Sequence, residues 1–199
     1  MKMQSLLIVA VVAALLPACS QINPPSIYSP KAMDELTSDL KKISADFKIE
    51  NVTVHEKDKL SDQFGMAVVN LRNSEGAKYE QVLYYNFGIP HNDPKPERES
   101  GTASKPIHYI NVDDIVKLKD RIEKYVEEAK TQIPENYTFE SVNFLTFEPN
   151  SEGALEISFE VQVTETGKSA RMEGGRKVTD YYELEFKVDK DGHITHGEW

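Results

Sequence analysis

Several groups of side chains in this chain have types and spacings that could support chemistry. Gly167-Lys168-Ser169 has the ending of a phosphate-binding loop, in which backbone amides and a lysine cradle phosphate oxygens. That loop needs a glycine five residues before Gly167, where this chain has Gln162, and a helix after it, where this chain reads as strand. Asp189, Asp191 and Gly192 have the spacing of an EF-type calcium loop with Glu198 at its last position. Its first ligand would then be Lys187, a cation where a carboxylate is required, and an Asp-Gly hairpin turn accounts for the same residues. His193 and His196 stand three apart beside Asp191 and Glu198, side chains that zinc can use. That spacing brings side chains together on a helix, not on a strand. His55, His91 and His108 lie in unrelated segments. No metal and no cofactor is expected.

Nucleophilic chemistry has no local motif either. There is no Gly-x-Ser-x-Gly elbow and no His-Glu-x-x-His, and the single cysteine, Cys19, precedes the body of the chain. The acid pairs Asp113-Asp114 and Glu127-Glu128 suit a solvated helix face and a helix dipole better than paired acid–base work. What remains points to binding. Lys168, Arg171, Arg176 and Lys177 cluster in the segment 165–177, which Gly167, Gly174 and Gly175 make pliant: a hairpin loop with a basic patch. Tyr181 follows on the wet face of the next strand, among Glu183, Glu185 and Lys187. An aromatic with a polar tip is the kind of anchor protein interfaces use. These five residues are the candidate partner-binding set, the basic loop steering an acidic partner.

The elements that must position them follow from periodicity. Ser29-Pro30 opens a helix, and Met33, Leu36, Leu40, Ile43 and Phe47 form its apolar stripe. Strand-like runs follow at about 49–56, 63–72 and 78–88. The segment 90–107, with Pro90, Pro94 and Pro96, reads as a linker or long loop. Asn111-Val112-Asp113-Asp114 then opens a second helix, with Ile115, Leu118, Ile122, Tyr125, Val126, Ala129 and Ile133 on its buried side, and Pro134 stops it. Strands at about 137–148, 154–165 and 177–189 complete the order. In the last, Tyr182, Leu184, Phe186 and Val188 point inward. One-sided alternation means antiparallel sheet with one wet face. The expected fold is α+β: two α-β-β-β units, 31–89 and 108–199, forming an antiparallel meander sheet or sheets with a helix packed on one face. Leu36, Leu40, Leu118, Ile122, Phe159 and Leu184 should be among its most buried side chains. A helix followed by a curved meander resembles the cystatin-like and PepSY-like envelope domains, a likeness of shape that carries no catalytic residue.

Composition bounds the partners. The chain has 199 residues and a formal charge of −10, from 33 acids against 23 bases. Nucleic acid and anionic lipid headgroups are attracted by basic faces, so neither is expected as a general partner. With one cysteine, no intrachain disulfide can form.

The first residues differ from everything after them. Lys2 precedes eleven residues without a polar side chain, Leu6 to Leu16. At ~1.5 Å per residue this run covers about half of a ~30 Å hydrocarbon core, too little to span it. Leu16-Pro17-Ala18-Cys19-Ser20 resembles a bacterial lipobox, although Pro17 departs from the usual small or aliphatic residue. The resemblance implies that 1–18 is a signal peptide and that Cys19 becomes the acylated N-terminus, with 19–30 as an extended tether. Ser20 stands where inner-membrane lipoproteins carry Asp, which implies the outer membrane, facing the periplasm. The functional expectation is an envelope lipoprotein, held to the membrane by its N-terminal lipid, that acts as a non-enzymatic protein-binding or assembly module. The alternatives are a small-ligand carrier with a pocket between helix and sheet, and an enzyme whose site assembles from distant residues. Cys19→Ser is expected to leave an uncut precursor or a lipid-free protein, whereas intact mass of the wild type shows acyl additions on a chain starting at residue 19.

Overall fold

The computed structural model describes residues 24–85, 88–97, 107–168 and 170–197, and of residues 176 and 177 the backbone alone. Cys19 and the expected leader 1–18 lie outside the described residues. Helix α1 (Pro30–Leu40) starts where the sequence expects. Ser29 is extended, its hydroxyl accepts the Ala32 N–H at 3.3 Å, and Pro30 fills the first helical position. Helix α2 (Val112–Lys130) is capped by Asn111, whose side chain accepts the Asp113 N–H at 3.1 Å. Asp113 and Asp114 sit in its first turn, complementing the helix dipole.

The strands are β1 (Phe47–Glu56), β2 (Phe64–Asn73), β3 (Lys78–Tyr84), β4 (Lys95–Pro96), β5 (Tyr137–Pro149), β6 (Leu155–Glu165), β7 (Arg171–Glu173), β8 (Arg176–Val178), β9 (Tyr182–Val188) and β10 (Ile194–His196). Eight of them form one antiparallel sheet in the order β10-β9-β6-β5-β1-β2-β3-β4, and among the described residues β7 pairs only with β8. The centre is the β1–β5 pair, in which Val52 to His55 face Phe147 to Phe144. Buried residues of both helices and of the strands form a single hydrophobic cluster, with Leu36, Ile122, Val54, Leu145, Phe159 and Phe186 all sealed from solvent. The chain is an α+β fold with a meander sheet.

The two ends of the sheet are built differently. Three tight turns close one end. Asn73-Ser74-Glu75-Gly76-Ala77 and Asn150-Ser151-Glu152-Gly153-Ala154 are identical pentapeptides joining β2–β3 and β5–β6. In each, the Asn side-chain oxygen accepts the N–H groups two and four residues on, and the glycine holds a φ of +87° or +83°. Asp189 does the same for Asp191 and His193 between β9 and β10, with Gly192 at +87°. The Asp-Gly turn is the hairpin the sequence predicts. The longer segments 57–63 and 166–181 gather at the opposite end, where the chain also enters.

Several expectations are corrected. Helix α1 ends at Leu40, so Ile43 and Phe47 extend its stripe in sequence but not in structure. Ser44 diverts the chain, its hydroxyl accepting the Asp46 N–H and its carbonyl the Phe47 N–H. The spacer expected at 19–30 is shorter. Ile27 is fully buried and Tyr28 nearly so, because Pro25 O and the Ile27 N–H bond to Phe64 and Asp62. Nor is the linker wholly free. Asn92 and Glu97 donate to Val82 and Lys78, laying this stretch along the edge of β3, where Pro96 helps blunt the edge. Leu118 and Leu184 are only partly buried. The expected strand 177–189 is broken, 176–178 belonging to the small β7–β8 hairpin. Tyr182 has the inward register, opposite buried Val163, yet is 44% exposed, its hydroxyl donating to Glu165 at 2.9 Å.

One glycine is fixed by a close approach. A Cβ on Gly65 would lie 2.6 Å from the Lys57 Cα, where β2 crosses the start of the β1–β2 connection. Overpacking of this kind costs about 1–3 kcal/mol. Gly65→Ala should therefore lower the urea midpoint clearly, whereas Gly197→Ala, with nothing within 4 Å, should barely move it.

Candidate functional site

Cross-strand partners in an antiparallel sheet share a face, so the register defines what lies opposite the core. One row across that face reads Tyr84, Met66, His55, Phe144, Glu160, Glu185, and the next reads Val82, Val68, Thr53, Thr146, Ser158, Lys187. The middle of this open face is apolar and half-buried, with Met66, Val68, Val82 and Phe144 around His55. The Thr53 and Thr146 hydroxyls are bonded at 3.2 Å across the central pair. The ring of His55 lies 6.4 Å from that of Phe144, and burial, then the charge of Lys59, lowers its pKa.

The β5–β6–β9 side is acidic. Glu148 faces Glu156, and Glu160 faces Glu185, directly across the ladder. Like charges in direct register are destabilising. Burial raises the pKa of Glu160, Asn143 donating to it lowers it, and Glu183 and Glu185 push it up again. Lys187 answers Glu185 at 3.4 Å.

The connection 57–63 folds over this face at the end where the chain enters. Lys59 Nζ donates to Asn143 Oδ1 at 3.0 Å and lies 3.7 Å from Glu56 Oε1 and 3.6 Å from Glu183 Oε1. It also stands 5.8 Å from the Tyr181 ring centroid, within cation–π range. Beneath it, Gln162 and Ser141 are sealed from solvent although their register places them on the open face. The Leu60 N–H and the Ser141 hydroxyl both donate to Gln162 Oε1 at 2.9 Å. The Glu56 side chain is 5% exposed, and burial raises its pKa against the opposing pull of the Ser61 N–H and Lys59. Leu60 and Asp62 hold φ of +62° and +48°, a region that bulky side chains rarely adopt. Asp62 ties the turn down by accepting the Val142 N–H at 2.6 Å and the Tyr28 hydroxyl at 3.1 Å. Burial, then the Asp62 charge, pushes the Tyr28 hydroxyl up to about 12.

The sequence-predicted residues are partly brought together. Tyr181 sits on the open face beside Lys59 and Glu183 and is 37% exposed. Two bases of the predicted patch have acidic partners. Lys168 pairs with Glu165, and Arg171 with Glu173 and Asp180, so neighbouring acids answer these charges. Arg176 and Lys177 lie on β8, their side chains outside the described residues. His193 and His196 do not converge: His193 pairs with Asp189, and the His196 ring packs 5.9 Å from Phe186. Asp189, Asp191 and His193 bring their oxygen and nitrogen atoms within 4.8 Å of one another, but the Asp189 carboxylate is already engaged in the turn.

Lys59, Glu160 and the 57–63 cover were missed, and so was His91. The Tyr84 N–H donates to His91 Nδ1 at 3.0 Å, leaving Nε2 to donate to Asp39 Oδ2 at 3.1 Å. Both ring nitrogens are engaged, so this pair straps the chain after β3 to α1. Burial raises the Asp39 pKa, but hydrogen bonds from Lys42 and His91 outweigh it and hold it below the usual carboxylate value. Asp34, Glu35, Asp39, Tyr84 and Tyr85 line a surface groove of about 610 Å³ around it.

Comparison with protein-family models, curated proteins and solved structures finds no match to this chain.

The raised pKa of Glu160 carries a definite sign. The folded chain holds its proton to higher pH than the unfolded chain, so the group costs stability as pH rises above its ordinary 4.5. Urea titrations should therefore show Glu160→Gln level with wild type at pH 4 and increasingly more stable above pH 4.5. A gap that stays constant with pH would mean that the carboxylate charge is not the cause.

Proposed function

We propose that the chain is an envelope lipoprotein, anchored through acylated Cys19 and probing the periplasmic side of the outer membrane. Its body is a non-enzymatic binding module that offers the open face of the sheet to another envelope protein. One observation carries this reading. The face combines a half-buried apolar centre with acids in direct cross-strand register, Glu148 with Glu156 and Glu160 with Glu185. Such pairs destabilise the free protein, and their cost falls when a cation is brought to them. The occupant that fits is therefore a protein surface carrying Lys or Arg around an apolar patch. This reverses the charge expected from the sequence, where the 168–177 bases were read as the steering group.

Two α-β-β-β units are the simplest account of how this face is built. Helix α1 followed by β1, β2 and β3 has its counterpart in α2 followed by β5, β6 and β9, and the two first strands pair at the centre. The connections out of the helices support it. Ile43 and Phe47 donate to Leu40 and Ser44, just as Ile133 and Tyr137 donate to Lys130 and Pro134. In this reading the helices cover the inner face together and leave the outer one for the partner.

The test is co-purification of one defined, crosslinked partner from envelopes at low and high salt. Neutralising Glu160, Glu183 and Glu185 together to Gln should reduce recovery several-fold at low salt, and high salt should reduce it for wild type. Tyr181→Ala should weaken it at both. Unchanged recovery by folded variants, or hydrolytic activity lost on a single His or acid substitution, would overturn the reading.

A further inference from the structure

The chain enters the described body at Pro24, five residue steps from Cys19. At ~3.3–3.6 Å per residue those steps reach at most about 18 Å. The point of entry is fixed: Pro25 O accepts the Phe64 N–H and the Ile27 N–H donates to Asp62 O, both at 2.8 Å. Ser26 forms a bridge with Gln63. The tether therefore arrives at the end of the sheet that carries 57–63, on a span about as long as a small hairpin.

A small hairpin leaves the sheet at that same end. β7 and β8 depart after the last residue of β6 and return before the first of β9, pairing only with each other. Residues 171–175 are all exposed, and Met172, at 68%, is the most exposed large apolar side chain described. Three residues of strand cover about 10 Å, within reach of what the tether allows.

Charge is polarised along the same axis. Segments 57–63 and 166–181 hold six bases and four acids. The three tight turns at the other end, 73–77, 150–154 and 189–193, hold four acids and one base. At the near end Lys59, Lys168 and Arg171 pair with Glu56, Glu183, Glu165, Glu173 and Asp180, so that end is close to neutral, whereas the far turns keep a net negative charge.

We infer that the β7–β8 hairpin rests on the phospholipid headgroup layer that holds the chain's own lipid, with Met172 entering the interface. An exposed apolar side chain on a hairpin beside a lipid anchor has the makings of a second membrane contact. The acidic turn end then points away from the bilayer, and the open face stands between the two ends, accessible from the side. The inference rests on the lipid anchor proposed above.

Because Cys19 is acylated, a single introduced thiol can be labelled selectively. Met172→Cys and, at the far end, Ser74→Cys are each labelled with a fluorophore and reconstituted into phosphatidylethanolamine–phosphatidylglycerol vesicles containing a headgroup-nitroxide lipid. Quenching several-fold stronger at 172 than at 74 is expected. Equal quenching at the two sites, in protein that carries the acyl mass and floats with the vesicles, overturns the hairpin contact and leaves the anchor standing. Protein without acyl mass, or that does not float, overturns both.

Discussion

A short central pairing holds this molecule together. Val52, Thr53, Val54 and His55 of β1 lie against Phe147, Thr146, Leu145 and Phe144 of β5. This junction makes one sheet of β1–β2–β3 and β5–β6–β9. On one side Val52, Val54, Leu145 and Phe147 are sealed into the core shared with both helices. On the other, Thr53, Thr146, His55 and Phe144 form the middle of a continuous open surface. Without the pairing there would be two small sheets, each with an unpaired central edge and neither with a continuous open face.

The division of labour between the two ends of the sheet follows from the lengths of its connections. Pentapeptide turns, each organised by one Asn or Asp side chain and one left-handed glycine, leave no room for anything but the hairpin itself. The longer segments can fold over the sheet, as 57–63 does in burying Gln162, Ser141 and the Glu56 carboxylate. Its left-handed residues, Leu60 and Asp62, persist because Asp62 is bonded to Val142, Tyr28 and, through its carbonyl, Ile27. The same bonds fix the entry of the N-terminal segment. Cover, entry point and Lys59 cluster therefore form one connected structure, and Tyr181 lies at its rim.

What could be read from the sequence was what local chemistry decides. Ser29-Pro30 and Asn111 mark helix starts because a capping side chain acts on the next few amides. Alternation in Leu155 to Val163 marks a half-buried strand because period two maps directly onto a face. Helix ends were harder: Ile43 and Ile133 continue their stripes past the point where the backbone has turned. Ile27 and Tyr28 were passed over because two apolar residues among prolines have no period. The site was less legible still. Lys59 and Tyr181 are far apart in the chain and meet only through the sheet, and counting bases in 168–177 could not show that Lys168 and Arg171 are answered by acids nearby. The acidic face was written across three strands, and only their register assembles it.

The most direct measurement is site-specific photocrosslinking in intact cells. A photoreactive residue replaces Thr146, at the middle of the open face, or Glu123, on the exposed side of α2. The account predicts a discrete protein adduct from position 146 and none from position 123. An adduct from 123 with none from 146 would place the binding surface on the helices and contradict it.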